Sequence, residues 1–319
     1  MSSVRLLIVK TSSMGDVVHA LPVVRDIRQA RPEVRIDWLV EPAFAAIPQM
    51  HPQVHRVFTV GWRKWRGQMF SAATWRAMKQ LRGELRDGHY SLVLDLQGLV
   101  KSALWARQCG APVAGYDRRS IREPAASWLY QKTAAVGREL QAVERCRQLA
   151  ATHLGYALPS SPPDFGLRPP KEGWTPGGAY AVLIPSASRV EKLWPERHWV
   201  AVGRQMRELG WTPLVLWGRE SEQTLAEGIA ASCEGDVPPF LKVSEMASVL
   251  AGAQIVVGLD TGFTHLAAAL GRPTLGIYCD HDPGLAGIAG PGRVASIGGK
   301  GQVPSRADVL ALIKDKLLS

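Results

Sequence analysis

Gln254-Ile255-Val256-Val257-Gly258-Leu259-Asp260-Thr261-Gly262-Phe263-Thr264-His265-Leu266-Ala267-Ala268-Ala269-Leu270 is the stretch whose reading decides the fold. An apolar run of strand length stops at a small-residue turn and opens into a helix whose first turn carries hydroxyl, glycine and imidazole. Such a helix start offers unpaired N–H groups and a positive dipole end, a seat for phosphate or pyrophosphate. A second junction of the same kind lies near the other end of the chain. There Leu6-Leu7-Ile8-Val9 runs into Lys10-Thr11-Ser12-Ser13-Met14-Gly15-Asp16. One junction per half predicts two facing domains with the chemistry between them.

The rest of the chain alternates strand-like and helix-like stretches. Strands are expected at 4–9, 34–40, 54–60 and 91–96, and helices at 17–30 (interrupted by Pro22), 72–86 and 141–154. In the 72–86 segment Trp75, Met78, Leu81 and Leu85 form one apolar stripe, with Arg76, Lys79, Arg82 and Arg86 away from it. Residues 157–178 hold six prolines among Ser and Gly, which is linker chemistry. Beyond them strands are expected at 180–184, 212–216, 255–259 and 274–278, the last closing the series. Helices are expected at 195–209, 220–231, 244–251 and 305–318. In the 195–209 helix Trp199, Val202, Met206 and Leu209 share one side. The expected layout is therefore a first Rossmann-like domain over 1–158, a linker over 159–178, a second such domain over 179–303, and a terminal helix over 304–319.

The 319 residues suit two α/β domains, and 46% hydrophobic with 21% charged residues is ordinary for a globular chain. No apolar run nears the roughly 20 residues that span a bilayer, and no signal-peptide segment is seen, so a cytoplasmic protein is expected. The four cysteines lie far apart without a C-x-x-C pair and read as buried thiols. A formal charge of +10 points to an anionic partner. Arg63, Lys64, Arg66, Arg76, Lys79, Arg82 and Arg86 crowd beside Trp62, Trp65, Phe70 and Trp75, so that surface is expected to meet something both anionic and greasy.

The familiar nucleotide motifs are missing. Lys10–Asp16 holds one glycine rather than G-x-G-x-x-G, Gly299-Lys300 lacks the leading glycine of a Walker loop, and G-x-S-x-G is absent. No paired histidines suggest a zinc site, and no metal or cofactor is expected. A nucleic-acid-binding reading rests on charge alone, with no helix-turn-helix, RRM or zinc-finger pattern behind it.

Six ordered blocks resemble the heptosyltransferases of glycosyltransferase family 9, which build the lipopolysaccharide inner core. They are Lys10-Thr11-Ser12-Ser13-Met14-Gly15-Asp16-Val17-Val18-His19-Ala20-Leu21-Pro22, Asp95-Leu96-Gln97-Gly98-Leu99-Val100-Lys101-Ser102, Arg122-Glu123-Pro124, Ala142-Val143-Glu144-Arg145, Lys192-Leu193-Trp194-Pro195-Glu196-Arg197-His198-Trp199, and Asp260-Thr261-Gly262-Phe263-Thr264-His265. The resemblance implies a GT-B fold of two doubly wound domains around a central cleft, and an inverting, metal-independent transfer. It further implies ADP-L-glycero-D-manno-heptose as donor and Kdo2-lipid A as acceptor, on a monomer held peripherally at the anionic cytoplasmic face of the inner membrane. Family members differ in acceptor, and the blocks do not choose among them.

By the same resemblance Asp16 is the catalytic base and Lys192 stabilises the departing ADP. Capping of a helix N-terminus is the plain alternative for Asp16. Ser188, Arg189, Asp260, Thr261, Gly262 and His265 are expected on the donor's phosphates and sugar, and Glu222 on its ribose. Similar proteins carry paired threonines where Ala187-Ser188 stands here, so one hydroxyl contact differs. Ser12, Ser13, Gly15, Arg63, Lys64, Arg66, Gln97 and Arg122 are expected at the acceptor, the guanidinium forks suiting its phosphates and carboxylates.

Overall fold

The computed structural model describes residues 4–170 and 173–318. Lys171 and Glu172 of the expected linker, residues 1–3 of the first domain and Ser319 of the terminal helix lie outside the described residues. The chain divides into two compact units, Met1–Pro162 and Pro163–Ser319.

The first unit is a parallel sheet of β1 (Arg5–Val9), β2 (Arg35–Val40), β3 (Val54–Thr59), β4 (Leu92–Asp95), β5 (Val113–Tyr116) and β6 (Lys132–Ala134). Its spatial order is β3-β2-β1-β4-β5-β6, the dinucleotide-fold order. The second unit is a parallel sheet of β7 (Tyr180–Ile184), β8 (Thr212–Val215), β9 (Ile255–Leu259), β10 (Thr274–Tyr278) and β11 (Val294–Gly298). There the order is β11-β10-β9-β7-β8, the flavodoxin-like arrangement run from the other edge. The central strands β1, β4, β7, β9 and β10 are buried almost throughout, as parallel strands covered on both faces must be.

Three strands have no counterpart in the pattern reading. β5 (Val-Ala-Gly-Tyr), β6 (Lys-Thr-Ala) and β11 (Val-Ala-Ser-Ile-Gly) are short and rich in small or polar residues. They become strands because a neighbouring strand supplies the ladder, and β11 rather than β10 ends the second sheet.

Two helical stripes also differ from expectation. On the Ala72–Asp87 helix the buried residues are Thr74, Leu81 and Leu85, while Trp75 is 57% exposed and Met78 only half-buried. On the Glu196–Glu208 helix Trp199, Val202 and Met206 face the core as expected, but Leu209 follows the helix end and is exposed. All four cysteines are free and buried. Among the described residues no helix is long and apolar enough to cross a membrane.

Gly258 shows how tightly the second sheet meets its helix. A Cβ there would stand 2.3 Å from Thr264 Oγ1 and 3.1 Å from the Ile184 Cβ. Thr264 Oγ1 in turn donates to the Leu259 carbonyl at 2.6 Å, fixing the Gly262–Ala269 helix against the end of β9. Gly258→Ala is expected to cost about 1–3 kcal/mol of stability through overpacking. Denaturant unfolding checks this, and an unchanged midpoint would show that the helix can move aside.

Candidate active site

Each sheet has one point where the strand order reverses, between β1 and β4 in the first unit and between β9 and β7 in the second. Ligands of doubly wound sheets bind outside the carboxyl ends of the strands at that point. Both motif-bearing loops lie there.

In the first unit the loop after β1 is tied to the loop after β4. Lys10 Nζ donates to the Leu96 carbonyl at 2.8 Å. Gln97 Oε1 accepts from the Thr11 and Ser12 N–H groups at 2.9 and 3.0 Å. Asp95 shapes the second loop by accepting from Gln97 N–H (2.8 Å) and Gly98 N–H (3.3 Å) on one oxygen. Its other oxygen accepts from Ser102 Oγ and Tyr130 Oη, each at 2.8 Å. Burial raises the Asp95 carboxyl despite these four donors. Gly98 takes φ +70, and a side chain there would also press on Ile121.

Asp16 is the third residue of the Met14–Ala20 helix, and Ser13 is the N-cap. Asp16 Oδ2 accepts from Ser13 N–H at 2.8 Å and Ser13 Oγ at 2.9 Å. The capping role weighed for Asp16 therefore exists, exerted from the third position rather than the cap itself. Burial pushes the carboxyl up, but the Lys10 charge, the Ser13 bonds and His19 outweigh it and hold Asp16 below the ordinary carboxylate range.

Asp16, Lys10, Gln97, Arg122, Tyr116 and Arg145 line one cavity of about 140 Å³. Asp16, Gln97 and Arg122 among these are expected site residues; Lys10 and Arg145 lie in the quoted blocks with no role assigned. Arg145 comes from the Ala142–Leu154 helix, where its guanidinium lies 4.9 Å over the Tyr116 ring and Nη2 donates to the Ser120 carbonyl at 2.8 Å. Its Nε is buried with no hydrogen-bond partner among the described residues.

The other expected acceptor residues divide. Ser12 and Ser13 lead into the helix that carries Asp16, and Gly15 is its second residue. Arg63 reaches Ser12 indirectly: its Nε pairs with the buried Glu41 at 2.7 Å, and Lys101 bridges Glu41 (3.4 Å) to Ser12 Oγ (3.3 Å). Glu41 is an addition, since a lone acid carries no pattern, and Lys101 lies in a quoted block with no role assigned to it. Lys64 and Arg66 are exposed and do not line the Asp16 cavity.

In the second unit the loops after β7 and β9 are joined by charge. Lys192 Nζ meets Asp260 Oδ2 at 2.5 Å and the Asp260 carbonyl at 3.3 Å. His265 Nε2 lies 3.3 Å from Asp260 Oδ1. Burial alone would raise Asp260, but the bonds from His265 and Lys192 bring its carboxyl well below the ordinary range. Thr261 is the N-cap of the Gly262–Ala269 helix, so Asp260, Thr261, Gly262 and His265 surround one helix tip.

The Lys192 loop is anchored from behind. Trp194 is buried, donates its indole N–H to the Pro304 carbonyl at 2.9 Å, and stands edge-on to Trp199 at 5.3 Å. Arg189 reaches from the same loop to Asp280 after β10, at 2.6 Å, and Ser188 beside it is exposed. Ser186, not among the expected site residues, has a buried hydroxyl with no partner among the described residues.

Glu222 sits at the third position of the Glu220–Ser232 helix. It accepts from Gly218 and Arg219 N–H at 3.0 and 3.2 Å and pairs with the Arg219 guanidinium at 2.7 Å. Its observed contacts are thus those of a helix cap at the end of β8.

Known proteins share this architecture. The model of glycosyltransferase family 9 (heptosyltransferase) matches residues 78–307. Lipopolysaccharide heptosyltransferase 1 of Pseudomonas aeruginosa is 44% identical over 296 residues, covering 91% of this chain and 82% of that one. Lipopolysaccharide heptosyltransferase 1 of Escherichia coli K12 is 41% identical over 297 residues, covering 91% and 92%. The solved structure of E. coli heptosyltransferase WaaC with ADP superposes with a TM-score of 0.89 at 38% identity, covering 98% of this chain and 99% of that one. Two parallel-sheet α/β units with this match make the fold GT-B. A family match over most of the chain, with relatives above 40% identity reaching through both units, makes this protein a member of glycosyltransferase family 9, the heptosyltransferases.

Proposed function

We propose that the protein transfers L-glycero-D-manno-heptose from ADP-heptose to the Kdo of Kdo2-lipid A, with inversion and without a metal, as a heptosyltransferase I. The observation that carries this reading is the 44% identity with the P. aeruginosa lipopolysaccharide heptosyltransferase 1, spread over 91% of the chain. Residues 1–158 take the acceptor and 179–303 the nucleotide sugar. The enzyme works as a monomer at the cytoplasmic face of the inner membrane.

Asp16 accepts the proton of the attacking Kdo hydroxyl. The hydroxyl oxygen bonds to the anomeric carbon as the bond from that carbon to the diphosphate oxygen breaks. Ser13 is bonded to Oδ2, so Oδ1 is the oxygen that takes the proton. The depressed carboxyl keeps Asp16 ionised at neutral pH, ready to accept though a weak base. Lys192 and the N–H groups at Thr261-Gly262 receive the negative charge of departing ADP, the task a metal ion performs in other transferases. Asp260 holds sugar hydroxyls, His265 faces the diphosphate, Ser188 and Arg189 contact the phosphates, and Glu222 the ribose. Ser12, Ser13, Gly15, Gln97, Arg63, Lys64, Arg66 and Arg122 contact the acceptor.

Incubation with ADP-heptose and deacylated Kdo2-lipid A is expected to add the mass of one heptose to the acceptor. Transfer only to an already heptosylated acceptor would assign the chain to another member of the family. No transfer from ADP-heptose to either would sink the donor assignment.

Arg145 belongs with the acceptor contacts in this reading. A buried guanidinium N–H left without a partner suits an anionic ligand in the Asp16 cavity. Arg145→Lys keeps the charge but loses the fork. The KM for acceptor is expected to rise about tenfold, with ADP affinity unchanged in calorimetry. Equal KM values would remove Arg145 from the acceptor site.

A further inference from the structure

The positive charge of this chain is segregated. Met1–Pro162 holds 23 Lys and Arg against 12 Asp and Glu, whereas Pro163–Ser319 holds 15 against 16. The first unit also holds an apolar groove of about 610 Å³ with basic residues in its wall. Met69, Trp75, Met78, Leu104 and Trp105 line the groove, and Lys79 and Arg82 form part of its wall. Lys79 and Arg82, expected away from the apolar stripe, instead share the groove with Trp75 and Met78, because at their helical spacing the cationic face borders that end of the stripe.

The apolar part is presented rather than packed. Trp75 is 57% exposed and its indole N–H is held by the Met69 carbonyl at 2.8 Å. Phe70, next in the chain, is fully exposed, and Leu104 is exposed across the groove. Trp105, which lines the groove, is buried and packs against Trp65 at 5.5 Å. Among the described residues no carboxylate pairs with Arg76, Lys79 or Arg82. Protruding aromatics flanked by unpaired cations fit an interface that is apolar below and anionic above. A second copy of this chain would bring the same positive face and be repelled.

We propose that this face, with Phe70 and Trp75 at its tip and Arg76, Lys79 and Arg82 around them, docks the protein on an anionic phospholipid bilayer. The proposal rests on the lipid-borne acceptor proposed above and names the surface that meets the membrane, which is separate from the Asp16 cavity.

Co-sedimentation with vesicles tests it. The wild-type protein is expected to sediment with equimolar phosphatidylglycerol–phosphatidylcholine vesicles, to remain in solution with pure phosphatidylcholine, and to be released by salt. At about 1 kcal/mol per basic side chain near an anionic surface, K79Q/R82Q should lower partitioning about thirtyfold. F70S should lower it about tenfold. As a charge-matched control, K314Q/K316Q alters two exposed lysines of the second unit and should leave partitioning within about twofold if the basic groove is the contact surface. All these variants are expected to keep wild-type transfer to the water-soluble, deacylated acceptor, which shows them folded. The proposal is overturned by equal sedimentation with both vesicle types, or by a control that loses as much as K79Q/R82Q. Either result with transfer intact leaves the heptosyltransferase reading standing, whereas loss of transfer in the unmodified protein strikes that reading instead.

Discussion

Asp16→Asn is expected to lower turnover roughly 10²–10⁴-fold, the usual share of a positioned general base, while ADP binding stays unchanged. Asp16 has a capping role in this structure beside the catalytic one proposed for it. Its Oδ2 accepts the Ser13 N–H and hydroxyl at the helix start, a contribution of about 1 kcal/mol to stability. Asparagine keeps a carbonyl oxygen for those bonds but cannot take the acceptor's proton. Asp16→Ala removes both, so it should match the Asn variant in rate and fall below it in thermal unfolding. Single-turnover kinetics, ADP calorimetry and a melt separate the two roles. Asn turning over at the wild-type rate would leave Asp16 as a cap and nothing more. The pH profile follows from the same group. A carboxyl held below its ordinary range stays charged on the acid side of neutrality, so the rate should remain level there. Any loss through Asp16 protonation should come only below the ordinary carboxylate range.

Lys192→Ala should damage donor binding and chemistry together. Losing a charged donor to the diphosphate costs about tenfold to a hundredfold in ADP affinity. A further loss of roughly 10²–10³ in turnover follows if the lysine also meets charge that grows on the leaving group. The Asp260 pair sharpens the test. With Lys192 gone, Asp260 keeps His265 as its remaining partner here and presents a largely buried negative charge beside the helix tip at Thr261. Asp260→Asn on the Lys192→Ala background should therefore recover part of the ADP affinity and none of the rate, a coupling visible only in the double-mutant cycle. Wild-type ADP affinity in Lys192→Ala would move the phosphate site elsewhere.

Local pattern carried a good deal of this. β1, β4, β7 and β9 are apolar runs of strand length ending at small-residue turns, and each stands where period and composition put it. The motif loops carry Asp16, Gln97, Lys192 and Asp260, and the strand ends hold them at the two switch points. What escaped was non-local. β5, β6 and β11 are strands because a neighbour's ladder makes them so, and their own residues have little say. Trp75 and Met78 occupy the apolar stripe of their helix, yet only Leu81 and Leu85 of that stripe find the core. Periodicity reports which side chains share a face and leaves open what covers that face.

Composition and spacing by themselves determined that this chain folds into two parallel α/β units, with a helix start behind a motif-bearing strand in each, because those properties belong to single strand-turn-helix segments. Tertiary structure alone decided that Arg145 joins Asp16 in one cavity, that Lys192 pairs with Asp260, and that the aromatic face of the Ala72–Asp87 helix stands open. Those facts depend on which strands lie side by side, and strand order is set by packing among segments distant in the chain.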